Sequence, residues 1–229
     1  MKTTLTNRLS TLLLAATLFS ATSASASNVA LITKTIQDVT KQTGEAEWIK
    51  AAKGVSLLSG DRVKTGSRSL AVVKFLDNSI VRVRELSVLT LVTEASGTGI
   101  LRNVGISKGA YGFEVKKQQN DQFRLTSPTS VASIRGTKGK FSGGQGSDTL
   151  VVTEGLVNLH NNSSGKEVDV AEGEIGISNE DGTISSRKAT AAELADAASA
   201  AAGGTDNELK LELRDPQGGK KELKLKFKK

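Results

Sequence analysis

Apolar and polar residues alternate along this chain in short runs separated by turn-forming residues. Segments 72–75 and 80–84 are rich in β-branched residues and are joined by Asp77-Asn78-Ser79, which reads as a hairpin. Successive side chains of a strand point to opposite faces, so Val81 and Val83 take one face and Arg82 and Arg84 the other. Comparable runs occupy residues 88–92, 111–115, 123–126, 130–135, 149–153 and 156–160. Segments 175–178 and 183–185 close around Asn179-Glu180-Asp181-Gly182, a second strong turn signal. Turn residues recur at roughly 8–12-residue spacing, and no helical stripe precedes Arg187. The pattern predicts an all-β body.

A weak internal repeat suggests that the body is wound. Gly44-Glu45-Ala46 leads to Val55 and then Gly60-Asp61-Arg62-Val63. Gly155-Leu156-Val157 leads to Val168 and then Gly173-Glu174-Ile175. The glycine-to-glycine spacings are 16 and 18 residues, consistent with two related coils.

The pattern changes after Arg187. Residues 189–202 read ATAAELADAASAAA, with Leu194 as the one large apolar side chain, and Gly203-Gly204 follow. Alanine favours helix, but such a helix has little to bury, so 189–206 is expected to be a linker or a short helix. The tail, 207–229, is more regular. Leu209, Leu211 and Leu213 alternate with charges, as do Leu223, Leu225 and Phe227, and Asp215-Pro216-Gln217-Gly218-Gly219 supplies the turn. The expected product is an amphipathic β-hairpin. Setting Leu213 opposite Leu223 and Leu209 opposite Phe227 places Arg214 against Glu222, Glu212 against Lys224 and Glu208 against Lys228. The one like-charge pair is then Lys210–Lys226.

Residues 1–26 carry the pattern of a secretory signal peptide: Lys2 and Arg8, an apolar run over 12–19, and Ala24-Ser25-Ala26 as a cleavage site. That run falls short of the roughly 20 residues a transmembrane helix needs, and no later segment reaches it. The expected location is therefore periplasmic or secreted. Cysteine is absent, which excludes disulfides, thiolate metal sites, cysteine nucleophiles and lipoprotein processing. The formal charge is +7 and residues 1–26 carry +2, leaving +5, of which residues 207–229 hold +4 from eight Lys/Arg and four Asp/Glu. The body is nearly neutral, which argues against nucleic acid as a partner. Aromatic residues make up 3% of the chain, too few for stacking platforms, so the core is expected to be aliphatic.

Three blocks name a family. They are Gly60-Asp61-Arg62-Val63-Lys64-Thr65-Gly66 continuing to Ser69, residues 123–137 (FRLTSPTSVASIRGT), and Val152-Thr153-Glu154-Gly155-Leu156-Val157 followed by Gly173-Glu174. Their content and order resemble the FecR domain, an extracytoplasmic module of bacterial envelope regulators, over roughly residues 44–185. The resemblance implies a wound, solenoid- or sandwich-like all-β body that engages envelope proteins. The sigma-factor role is not expected to carry over, because no segment of this sequence reads as the family's cytoplasmic part or transmembrane helix. The Arg-Gly-Thr motif also differs from the family pattern: Lys138-Gly139-Lys140 stand before the aromatic Phe141, and 143–148 is glycine-rich. A longer, looser hairpin is expected there.

The motif residues Gly60, Asp61, Thr65, Ser69, Pro128, Arg135, Gly136, Thr137 and Gly155 are read as mainly structural. Arg135 is expected to be a buried tie holding several carbonyls or Asp61 through its planar fork, with partner binding as the alternative. His160 is the only histidine and lies beside Asn161-Asn162-Ser163-Ser164, an exposed turn, so no catalytic triad, cofactor site or metal site is expected. Two functions stay open. One is a non-catalytic module that binds envelope proteins, with or without a sensory role. The other is a surface protein held to anionic polymer or lipid by Lys220, Lys221, Lys224, Lys226 and Lys228.

Overall fold

In a computed structural model of the chain, residues 28–144, 146–202, 208–214 and 220–226 are described, the last two segments as backbone. The signal-like residues 1–26 lie outside them. The chain passes back and forth between two facing sheets. β1 (Asn28–Ile36) starts in the first sheet, β2 (Val39–Gln42) and β3 (Ile49–Lys50) cross to the second, and β4 (Ser56–Leu58) returns. β5 (Arg62–Thr65) lies in the second sheet, and β6 (Leu70–Phe75) and β7 (Ile80–Val83) in the first. β8 (Val88–Ser96) and the first half of β9 (Gly99–Val115) are in the second sheet, and the second half of β9 is in the first. β10 (Gln122–Thr126) and β11 (Ser130–Ile134) are in the second, and β12 (Thr137–Gly143) and β13 (Ser147–Glu154) in the first. β14 (Leu156–Asn161) and β15 (Glu167–Ala171) then join the second, and β16 (Glu174–Asn179) and β17 (Ile184–Lys188) the first.

The first sheet runs β4-β1-β6-β7-β9-β12-β13-β16-β17 and the second β3-β2-β5-β8-β9-β10-β11-β14-β15. Pairing is antiparallel except between β9 and β10. The body is therefore all-β, and its wound character is the repeated crossing of hairpins between layers. The core lies between the sheets and is mainly aliphatic, around Tyr111, Phe113 and Phe141. The long strand β9 changes sheets near Gly109, which has a φ of +113°. A Cβ there would lie 2.0 Å from the Ser87 hydroxyl, which accepts the Ala110 N–H at 3.1 Å.

The expected gap between the Arg-Gly-Thr motif and its following strand is corrected. Lys138-Gly139-Lys140 do not delay the strand after the motif; they are part of β12, which starts at Thr137. Gly139 is needed there because a Cβ would lie 2.2 Å from the Val151 carbonyl and 2.8 Å from the Phe113 ring. The glycines therefore serve close packing, and the hairpin turn is short.

The alanine-rich segment is helix α1 (Ala191–Ala202), and it packs on the outer face of the first sheet over β9, β12 and β13. Thr190 and Glu193 form a capping box. The Thr190 N–H donates to Glu193 Oε2 at 2.7 Å and the Glu193 N–H donates to Thr190 Oγ1 at 3.2 Å. Ala197, Ala200 and Ala201 are buried, Ala197 against Val151 and Ile175. The expectation that this segment buries little is overturned by small residues on both partners. Gly112 of β9 lacks the Cβ that would stand 2.0 Å from the Ala200 carbonyl oxygen, so helix and strand approach closely.

β18 (Glu208–Arg214) and β19 (Lys220–Lys226) pair antiparallel as a hairpin. Its register differs by two residues from the expected one: Leu209 is opposite Leu225, Leu211 opposite Leu223, Glu212 opposite Glu222 and Arg214 opposite Lys220. The tighter closure leaves five residues between Arg214 and Lys220, keeps two leucine pairs, sets Leu213 opposite Lys221, and retains Glu208 opposite Lys226 as the one opposite-charge pair. Among the described residues, no helix is long and apolar enough to cross a membrane.

Candidate functional site

The motif residues sit where the chain leaves one sheet for the other, and most of them bind backbone. Thr65 ends β5. Its hydroxyl donates to the Arg84 carbonyl at 2.5 Å and accepts the Ser87 N–H at 3.1 Å, clamping the β7–β8 crossing. Thr137 begins β12, and its hydroxyl reaches the Leu156 carbonyl at 3.1 Å, clamping the β13–β14 crossing. Gly155 has a φ of +92°, and a Cβ on it would lie 2.9 Å from the Gly136 carbonyl oxygen and from Thr137 Oγ1. Gly136 is itself in the left-handed region.

Asp61 is fully buried. Its carboxylate accepts the Leu58 N–H at 2.7 Å and the Thr43 hydroxyl at 2.6 Å, and Lys41 Nζ stands 2.7 Å away. The second coil repeats this step: Gly173, like Gly60, has positive φ, and Glu174 Oε2 accepts the Ala171 N–H at 3.0 Å. Ser69 accepts the Asp38 N–H and donates to the Ser67 carbonyl, both at 3.0 Å. Pro128 is exposed in the β10–β11 turn, where its carbonyl accepts the Asn162 amide at 3.0 Å.

Arg135 is not the buried tie expected. It is exposed, holds one carbonyl, that of Gln118, at 2.8 Å, and does not pair with Asp61. The turn between β11 and β12 carries it outward at the end of the sandwich. The network expected of it belongs to Arg102 on β9, which is buried, donates to Asp121 at 2.8 Å and stands 3.6 Å from Asp77. The Arg102 hydrogen bond holds the Asp121 carboxyl below its ordinary range. His160 lies within β14, half-buried, with Nδ1 3.3 Å from Glu167. Among the described residues, no group of three His, Asp or Glu is placed to hold a metal.

The two outer faces are chemically different. On the second sheet the polar side chains largely satisfy one another: Thr126 donates to Asn103 at 2.6 Å, Asn158 donates to Asp169 at 3.0 Å, and Arg62 and Lys64 both lie over the Trp48 ring. On the first sheet Leu70, Val72 and Arg82 are buried on the outer face beyond α1. Arg82 is 2% exposed, and its Nε and Nη1 have no hydrogen-bond partner. Burial pushes its guanidinium pKa down, opposed by the charge of Glu114. Next to it, between α1 and the β1–β6 edge, is a cleft of about 500 Å³. Leu70, Ala110 and Ala200 line it together with Arg68, Arg84, Lys140, Glu85 and Asp196. Sequence alternation placed Arg82 and Arg84 on this face, but nothing in it signalled that Arg82 would be buried.

Of the tail lysines, Lys220, Lys221, Lys224 and Lys226 are on β19, opposite Arg214, Leu213, Lys210 and Glu208. Lys228 lies outside the described residues.

No curated protein matches the chain. Two crystal structures, at 1.65 and 2.50 Å, of a protein from Parabacteroides distasonis ATCC 8503 described as an anti-sigma factor share its fold. Each is 17% identical with a TM-score of 0.51, and the match covers 58% of this chain and 62% of that one, so under two thirds of the neighbour's length is spanned. The family model described as "FecR protein" matches residues 61–176, just over half of the chain. That interval begins at Asp61, includes the clamps at Thr65 and Thr137, and stops before α1 and the hairpin. The chain belongs to the FecR family.

Proposed function

We propose that this protein is a non-catalytic extracytoplasmic interaction module that binds envelope protein partners, in a sensory or regulatory setting, after residues 1–26 are removed as a secretory signal. The observation that carries the reading is how the polar residues are used. The motif side chains of Asp61, Thr65, Ser69 and Thr137 are committed to backbone groups inside the fold, whereas the outer face of the first sheet keeps guanidinium groups without partners. A fold-defining motif spent on its own backbone leaves recognition to surfaces outside it.

A second reading, attachment to anionic polymer or lipid through Lys220, Lys221, Lys224, Lys226 and Lys228, draws on the +4 charge of residues 207–229. Photo-cross-linking in intact cells separates the two. A photoreactive residue placed at position 84 is expected to capture a protein, identified by mass spectrometry, and one at position 124 on the other face is not. Capture of no protein from position 84, combined with cell-surface binding that weakens steeply with salt and is lost on deleting 207–229, would favour attachment instead.

A further inference from the structure

We infer that the cleft between α1 and the β1–β6 edge is a docking site for an extended acidic segment of a partner protein, its carboxylates met by Arg68, Arg84 and Lys140. The inference rests on the reading of the protein as a protein-binding module and names the place and the chemistry of the contact.

Charge complementarity supplies the first argument. Neither the Arg68 nor the Arg84 guanidinium has a hydrogen-bond or ion-pair partner among the described residues. Glu85, the acid on the rim, accepts the Arg68 backbone N–H at 2.7 Å and makes no ion pair with either guanidinium. Lys140 pairs with Asp196 of α1, whose side chain is 63% exposed, a pairing that an incoming carboxylate can replace at little cost. Arg82 lies on the same sheet face, buried with two donors unpartnered, and adds positive potential in a poorly solvated place. Planar guanidinium groups are matched to carboxylates, which they can bind through two parallel hydrogen bonds.

Shape supplies the second argument. The cleft's volume of about 500 Å³ lies within the roughly 300–1,000 Å³ typical of ligand sites. Leu70, Ala110 and Ala200 give it an apolar floor beneath cationic walls. An extended peptide, which alternates its side chains between two sides, can set aliphatic groups on the floor and carboxylates on the walls. The chain's own tail is a poor occupant, because residues 207–229 carry +4.

The test uses the chain from residue 27 to 229 and a fluorescein-labelled peptide of alternating glutamate and leucine, capped at both ends. Its glutamine–leucine counterpart and phosphatidylglycerol vesicles are the comparisons. The glutamate peptide should bind about tenfold or more tightly than the glutamine one, the equivalent of one well-placed charge pair. Arg68→Glu and Arg84→Glu should each remove that preference, and Arg124→Glu on the opposite face should leave it unchanged. Arg68 is exposed, so its variant tests the site even if the half-buried Arg84 variant folds poorly. Equal weakening by Arg124→Glu would mean attraction by net charge and would overturn the cleft. Arg68-dependent binding of vesicles without binding of the peptide would overturn the peptide as occupant. Should the peptide bind through Arg68 while in-cell cross-linking yields no protein, the cleft stands and the broader function falls.

Discussion

Strand β9 carries a glycine on the outer face of each sheet, Gly105 in its first half and Gly112 in its second, and the two have different neighbours. A Cβ on Gly105 would meet Thr90 at an ordinary 3.5 Å. A Cβ on Gly112 would fall 2.0 Å from the carbonyl oxygen of Ala200 in α1. One glycine lies on an open, self-satisfied polar surface, and the other is the contact point of a docked helix. The difference shows that the two faces of one sandwich do different work. On the second sheet, Asn, Thr and Asp side chains pair with one another and two of its cations lie over the Trp48 ring. The first is a composite of helix, buried apolar residues and unmatched cations.

That contrast yields the largest predicted effect. Gly112→Val should destabilise the protein by about 1–3 kcal/mol, the usual cost of forcing atoms into filled space, and should strip α1 from the sheet. Gly105→Ala should be neutral or stabilising by up to about 1 kcal/mol, since alanine restricts the unfolded strand more than glycine does. Urea unfolding followed by tryptophan fluorescence, with amide exchange in α1 as a second readout, measures both. Equal losses at the two positions would remove the asymmetry.

The asymmetry could not be read along the chain, although much beneath it could. The Asp77-Asn78-Ser79 turn is as expected: Asn78 takes a φ of +66° and the Asp77 carboxylate accepts the Ser79 N–H at 2.9 Å. The Gly-acid steps at Gly60-Asp61 and Gly173-Glu174 were visible because a positive-φ glycine followed by a capping acid is local chemistry. Strand β9 was half hidden. Its segment 111–115 alternates cleanly, but Gly105, Ser107, Lys108 and Gly109 interrupt the period where the strand bends between sheets. The docking of α1 depends on Gly112, distant in sequence, so alanine content alone left linker and short helix open and gave no sign of a packed one. Its start went unread, although Thr190 and Glu193 have the spacing of a capping box and nothing tertiary is needed to see it. The error at Arg135 came from assigning burial to a motif residue on the strength of the motif, when the buried arginines, Arg82 and Arg102, lie outside it.

A smaller effect, of opposite sign, sharpens the picture of the first sheet's outer face. Arg82 keeps two donors unpartnered at 2% exposure. Replacing a buried, unsatisfied charge by an apolar side chain of similar length is often neutral or favourable, so Arg82→Met should raise stability by about 1 kcal/mol. The same variant should weaken the glutamate peptide in the cleft, so that stability and binding move in opposite directions. A loss of stability would show that Arg82 is paired in solution, with Glu114, whose charge acts on it, as the candidate partner, and that the face is better neutralised than its geometry indicates.

The least costly perturbation is pH, and it acts on α1 rather than on the sandwich. Glu193 joins the two: its carboxylate takes hydrogen bonds from Arg187 at 2.8 and 3.0 Å and from the Thr190 N–H at 2.7 Å, and these hold its pKa down to about 2. A carboxylate whose folded pKa lies below its unfolded value stabilises the fold fully above the unfolded value. That contribution is lost as pH falls through the ordinary carboxylate range towards the folded value. The group is solvent-exposed and the effect correspondingly modest. Amide exchange in α1 should therefore quicken relative to β12 and β13 as pH is lowered from neutral towards 3, after correction for intrinsic exchange rates. Glu193→Gln should flatten that dependence and already show the faster relative exchange at pH 7. Parallel loosening of helix and strands in the wild-type chain would place the acid-sensitive contacts in the sandwich, at Asp121 beside Arg102, and would make α1 part of one cooperative unit with the sheets.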